Sequence, residues 1–112
     1  MVPQVPAAQF VQWQRAKAGA KPVVLDVREP WEVETACVQA DGFELKIIAM
    51  GEITVRLGEL TQDRPIACLC HHGMRSMQVA RYLQQQGFTD VVNLAGGIEA
   101  WSTEIDPSVP RY

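Results

Sequence analysis

One stretch of this sequence combines a nucleophile, two proton carriers, a glycine and a fixed cation: Cys70-His71-His72-Gly73-Met74-Arg75-Ser76. It follows an apolar run, Ile66-Ala67-Cys68-Leu69, and leads into a helical pattern that begins near Arg75. A cysteine at the carboxyl end of a strand, then a short loop, then a helix start, is a place that stabilises a sulfur anion. Successive backbone N–H groups of such a loop curl into a nest, and the helix N-terminus adds partial positive charge. The thiolate, not the thiol, is the nucleophile, and Cys70 is therefore the candidate catalytic residue. Gly73 permits the positive φ that lets neighbouring N–H groups converge. Arg75 has two readings: it aims at an anionic ligand, or it braces the loop through Asp26 or a nearby glutamate in the bidentate geometry arginine favours. His71 and His72 either donate hydrogen bonds to a bound anion and shift charge near neutral pH, or occupy solvated loop positions. Met74 lines the entrance or packs beneath the loop.

The other sulfur and acidic groups have duller readings. Cys68 lies within the apolar run and is packing. A Cys68–Cys70 disulfide would span residues i and i+2 of a strand, at the long end of disulfide geometry, and is not expected. Cys37 is a candidate resolving thiol. Cys68-x-Cys70-His71-His72 offers soft metal ligands, but a structural zinc site draws on two separated pairs. Only Cys37 is left to add to them, so no metal is expected.

The elements that must position the loop alternate in type. A first helix is predicted from Pro6 to about Ala18, with Phe10, Val11 and Trp13 on its buried side and Gly19 ending it. Val23-Val24-Leu25-Asp26-Val27 is a continuous apolar run after Lys21-Pro22, a strand buried on both faces as in parallel sheets. Asp26 inside it would be costly unpaired; Arg28, Glu29, Glu32 and Glu34 follow closely enough to make a local ion-pair cluster. Pro30 to Glu34 reads as a short helical turn. Phe43, Leu45 and Ile47 alternate with Glu44 and Lys46, a strand that becomes buried around Ile47-Ile48-Ala49. Ile53, Arg56, Leu57 and Leu60 form a short amphipathic helix. After the cysteine loop, Ser76, Val79, Ala80 and Leu83 share one helix face, and Gly87 ends that helix with Phe88 packing back. Val91 to Leu94 is a further strand, Gly96-Gly97 a tight turn, and Ile98 to Trp101 a last short helix.

Strand–helix alternation without repeats or linkers means an α/β domain: a small, mainly parallel sheet flanked by helices on both faces. Ligands of such sheets bind beyond the carboxyl ends of the strands, where Cys70 lies. The single domain is assigned to residues 5–105, with 106–112, rich in proline, as an extended tail.

Three segments in order carry a resemblance to a known family: Leu25-Asp26-Val27-Arg28-Glu29, then Cys70 to Ser76, then Leu94-Ala95-Gly96-Gly97-Ile98-Glu99-Ala100-Trp101. With the helices between them, the chain resembles a single-domain rhodanese, a sulfurtransferase, over roughly residues 5 to 102. The resemblance implies Cys70 as nucleophile, taking a sulfane sulfur from a small anionic donor such as thiosulfate. It would hold that sulfur as a persulfide and pass it to cyanide or a thiol. His71, His72, Gly73, Met74, Arg75 and Ser76 would bind substrate, Asp26 and Arg28 would give structural support, and no metal or organic cofactor is implied. A sulfur-carrier or protein-binding module, exchanging sulfur with a protein donor or acceptor, is the alternative. Phosphatase or arsenate-reducing chemistry ranks below it, because the related phosphatases use Cys-x5-Arg, whereas Cys70 to Arg75 is Cys-x4-Arg. One departure is the flank Thr35 to Gly42, which lacks the histidine and proline the family often has there.

Composition narrows the classes further. A net charge of −3 argues against nucleic-acid and anionic-membrane partners. No apolar segment approaches the ~20 residues of a membrane span. The first residues, Met1-Val2-Pro3-Gln4, lack a basic leader and an apolar signal core. Together with an odd cysteine count of 3, these features predict a cytoplasmic, reducing location and a monomer.

Overall fold

Apolar residues on alternate sides of the central strands commit this chain to two cores, one on either face of a single sheet. The computed structural model describes residues 1–112. Its strands are β1 (Gln4–Pro6), β2 (Val23–Asp26), β3 (Glu44–Ile47), β4 (Ile66–Leu69) and β5 (Val91–Ala95). They pair in the order β1-β5-β4-β2-β3, all parallel. The helices are α1 (Phe10–Ala16), α2 (Pro30–Thr35), α3 (Ile53–Arg56), α4 (Met74–Gln85) and α5 (Gly97–Glu104). On one face Val23, Leu25, Val27, Ile66 and Cys68 pack under Ile53 of α3 and Val79, Ala80 and Leu83 of α4. On the other, Val24, Ala67, Leu69, Val92 and Leu94 pack under Phe10 of α1 and Trp101 of α5. Phe10 and Trp101 approach to 4.8 Å between ring centroids. No helix is long and apolar enough to cross a membrane.

Several local expectations change. The first helix is shorter than Pro6 to Ala18, because 3-10 turns at Ala7–Gln9 and Ala18–Ala20 flank it. Val11 is exposed rather than buried. One helical residue is a rotation of about 100°, and with Phe10 and Trp13 (i, i+3) facing the core, Val11 turns outward. Ile47 is exposed and only Ile48 is buried, since β3 lies at the sheet edge. β1 carries too little pattern to predict, being three residues that follow Pro3 and end in Pro6, and Pro6 is tolerated there because an edge strand need not donate on both sides. The end of α4 follows its expected design, with Gly87 at φ +98° and the Phe88 N–H on the Leu83 carbonyl at 3.0 Å.

The strand order also sets a topological switch point. From β2 the chain proceeds to β3 on one side of the sheet, and from β4 it proceeds to β5 on the other. The chain therefore leaves β2 and β4 in opposite directions, which is the switch point beyond which α/β proteins have their ligand-binding crevice.

Candidate functional site

Cys70 directly follows β4 at that switch point. Cys68 and Cys70 lie two residues apart, so both point to the α4 face and join the same apolar cluster. Cys70 is 1% exposed. Its Sγ accepts the Gly73 N–H at 3.0 Å and lies 3.3 Å from Ser76 Oγ. Gly73 has φ +108°, which turns its N–H back toward the sulfur three residues earlier. α4 starts at Met74 with no side-chain cap, so its first-turn N–H groups and the positive end of its dipole face the loop.

The outer side of the loop is tied to α5. The Cys70 carbonyl accepts the Ile98 N–H at 2.8 Å and the His71 carbonyl accepts the Glu99 N–H at 3.2 Å. These bonds bring the backbone so close that a Cβ on Gly97 would lie 2.4 Å from both carbonyl oxygens. Gly97 also has φ +57°. The Gly96-Gly97 turn is thus required by close approach as well as by conformation.

A chain of charges fixes the opposite wall. Asp26 and Arg28 are fully buried and paired, with Arg28 Nε 2.9 Å from Oδ1 and its Nη2 2.7 Å from Oδ2. The remaining guanidinium hydrogens go to the carbonyls of Glu32 and Ala36 and to the Tyr112 hydroxyl. All five donors are thereby satisfied, which is what makes a buried arginine affordable. Burial works against its charge, but the Asp26 and Tyr112 hydrogen bonds outweigh it and hold the guanidinium protonated. Arg75 does not reach Asp26. It forms a bidentate pair with Glu32, both N···O distances being 2.7 Å. Glu32 further accepts the Tyr112 hydroxyl and the Glu29 N–H, each at 2.9 Å. The Arg75 hydrogen bonds, only partly opposed by burial, hold the Glu32 carboxyl at about 2. This pair fastens the cysteine loop to α2, across the crevice.

The mouth is aromatic. The His71 ring lies between those of His72 (3.9 Å, 19°) and Tyr112 (4.0 Å, 14°). Burial, reinforced by the neighbouring His72, pushes His71 below the ordinary histidine value. His72 is exposed, and Met74 is 78% exposed, which puts it at the rim rather than beneath the loop. Residues 106–112 contain no helix or strand, yet they return to the domain: Val109 is buried in the α5-side core and Tyr112 completes the charged wall. Ligand atoms of His71, His72 and Glu99 lie within 4.8 Å of one another. The two imidazoles are stacked, and Glu99 is paired with Arg111.

All three cysteines are free. Burial pushes the Cys68 thiol far up and also raises Cys37, whose Sγ donates to the Val38 carbonyl at 3.3 Å. The pairing of Arg75 with Glu32 is the bracing by a nearby glutamate that the sequence offered as one reading, whereas sequence reasoning missed Tyr112 and Asn93. The last left a signal, a buried amide within Val91-Val92-Asn93-Leu94.

Comparison with known proteins agrees with this geometry. The model of the family described as Rhodanese-like domain matches residues 10–104. "Thiosulfate sulfurtransferase GlpE" of Pseudoalteromonas translucida is 32% identical, over 80% of this chain and 81% of its own. "Rhodanese-like/PpiC domain-containing protein 12, chloroplastic" of Arabidopsis thaliana is 41% identical over 80% of this chain, which spans only 30% of that protein; two further curated relatives are spanned to 24%. The crystal structure of a rhodanese-related protein from Thermoplasma volcanium superposes with a TM-score of 0.76 at 29% identity, covering 98% of this chain and 99% of its own. With the family model matching most of its length and a relative aligned across most of both chains, this chain belongs to the rhodanese-like sulfurtransferase family.

Proposed function

We propose that this domain transfers a sulfane sulfur through a persulfide on Cys70. The observation that carries the reading is the Gly73 N–H held 3.0 Å from Cys70 Sγ at the uncapped N-terminus of α4. Such a setting stabilises negative charge both on the attacking sulfur and on the sulfur it acquires. The Cys70 thiolate attacks the outer sulfur of a donor such as thiosulfate. The donor S–S bond breaks, its electron pair leaves on sulfite, and Cys70 carries the outer sulfur as a persulfide anion. Cyanide or a thiolate then attacks that outer sulfur, takes it as thiocyanate or a new persulfide, and returns the Cys70 thiolate. The two displacements balance without an external oxidant or reductant. Support for thiosulfate as donor comes from the Pseudoalteromonas relative, a thiosulfate sulfurtransferase by name.

Within this reading Gly73 and the first turn of α4 bind the transferred sulfur, with Ser76 beside Sγ. His71, His72 and Met74 line the approach. Arg75 contributes positive charge but is committed to Glu32, so it braces the loop more than it grips substrate. Asp26 and Arg28 hold the crevice wall. The reading is tested by mass spectrometry after thiosulfate exposure: one added sulfur is expected on Cys70, with turnover abolished in Cys70→Ser. Equal sulfur uptake by Cys70→Ser would overturn it. A screen that pairs thiosulfate and a protein persulfide as donors with cyanide and thiols as acceptors separates small-molecule turnover from a carrier role.

A further inference from the structure

Behind the cysteine loop lies a hydrogen-bond arrangement that the transfer chemistry above leaves unused. Asn93, on β5, is 1% exposed and sits in register with Cys68 of β4. Its Nδ2 donates to the Gly73 carbonyl at 3.0 Å and to Gln4 Oε1 at 2.9 Å. A backbone carbonyl only accepts, so this bond sets the orientation of the amide and directs Oδ1 at Ser76. Ser76, itself fully buried, donates its hydroxyl to that Oδ1. The same Oγ lies 3.3 Å from Cys70 Sγ.

A hydroxyl has one proton. While it rests on Asn93, Ser76 presents lone pairs to the sulfur. That arrangement suits the thiol, whose S–H can donate to Oγ, and opposes the thiolate. When Cys70 ionises, the Ser76 proton gains by turning to Sγ, but Asn93 Oδ1 is then left buried and unpaired. We propose that Asn93 is a positioning residue that competes with Cys70 for the Ser76 hydroxyl proton, and so governs how readily the sulfur becomes an anion. The inference rests on Cys70 being the reactive sulfur. Once Sγ carries an outer sulfur, the negative charge moves off Sγ, and the hydroxyl returns to Asn93. A loaded loop is then held by Asn93 through both Gly73 and Ser76.

The other titratable groups around Cys70 are accounted for. Arg75 of α4 is the cation that feels it, and Cys68 of β4 lies beside it with its thiol pushed up by burial. His71 and His72 belong to the loop. Glu32 of α2 is closed on Arg75, Asp26 of β2 on Arg28, and Glu99 of α5 on Arg111. None of these touches the Ser76 hydroxyl.

The test is the pH dependence of Cys70 alkylation by iodoacetamide, read by peptide mass spectrometry, in the whole chain. Asn93→Leu and the smaller Asn93→Ala should each lower the midpoint by about one pH unit, the difference between a charge-assisted and a neutral hydrogen bond. In a Ser76→Ala background, where no proton is left to contest, neither should shift it. In the unmodified protein, the Asn93 side-chain carbonyl carbon should titrate by NMR at the alkylation midpoint, and should stop doing so in Ser76→Ala; this arm holds even where an Asn93 variant fails to fold. Unchanged midpoints in both Asn93 variants, equal shifts with and without Ser76, or a carbonyl carbon silent through the Cys70 titration would each overturn the proposal. Alkylation needs no sulfur donor, so its outcome is independent of whether Cys70 accepts sulfur from thiosulfate.

Discussion

Replacing Glu32 by glutamine keeps the size of the side chain and removes the charge that holds Arg75. The carboxylate accepts two 2.7 Å bonds from Arg75, one from Tyr112 and one from the Glu29 N–H. An amide keeps a single oxygen and turns N–H groups toward the guanidinium. The folded protein holds this carboxyl at about 2, against 4.5 for the free side chain. At about 1.4 kcal/mol per pH unit, that displacement corresponds to about 3 kcal/mol of stability. The Glu32 side chain is only 4% exposed, so little of this is screened, but Arg75 is 32% exposed and regains water when its partner is neutralised. The expected loss for Glu32→Gln at pH 7 is therefore about 2–3 kcal/mol, somewhat below the usual cost of breaking a fully buried pair. Urea denaturation of both proteins between pH 7 and pH 2 reads it. Because the folded-state value is depressed, the contribution is complete above pH 4.5 and is lost as pH falls from 4.5 toward 2. The gap between wild type and variant should close over that window. A gap below about 0.5 kcal/mol at pH 7, within what surface substitutions produce, or a gap that persists undiminished at pH 2, would refute the assignment of this pair as the fastening of the loop.

Two further outcomes follow from the packing around the loop. Gly97→Ala places a Cβ against the Cys70 and His71 carbonyl oxygens at a positive φ, so urea denaturation should register a loss of about 1–3 kcal/mol. Sulfur-transfer activity should fall more steeply than stability, because the loop itself must move; wild-type values for both would show that the α5 junction does not shape the site. Cys68, fully buried with its thiol pushed up by burial, should resist iodoacetamide in the folded protein at pH 8 and react only in denaturant. Peptide mapping that finds native Cys68 alkylated as fast as Cys70 would contradict the packing of β4.

What could be read from the chain alone was whatever depends on near neighbours. The run Ile66 to Leu69, the glycine at position 73 and the amphipathic face Ser76, Val79, Ala80 and Leu83 place a cysteine between a strand and a helix N-terminus. They do so because backbone periodicity and glycine's freedom act over a few residues. Uniformly apolar strands alternating with helices likewise imply a parallel sheet with two covered faces. Local pattern failed where an element was short or its rotation depended on packing, as in β1 and at Val11.

Partners of side chains belong to another level. Arg75 meets Glu32, 43 residues earlier in the chain, because β2 and β4 are neighbours in register with Asp26 opposite Leu69, which brings the two following loops together across the crevice. Tyr112 reaches His71 and Arg28 only because the tail folds back on the domain. Asn93 contacts the cysteine loop because β5 lies beside β4. The candidate nucleophile and the backbone around it thus lie in one stretch of sequence. The groups that hold that backbone come from elsewhere: strand order brings Glu32 and Asn93 to it, and the returning tail brings Tyr112.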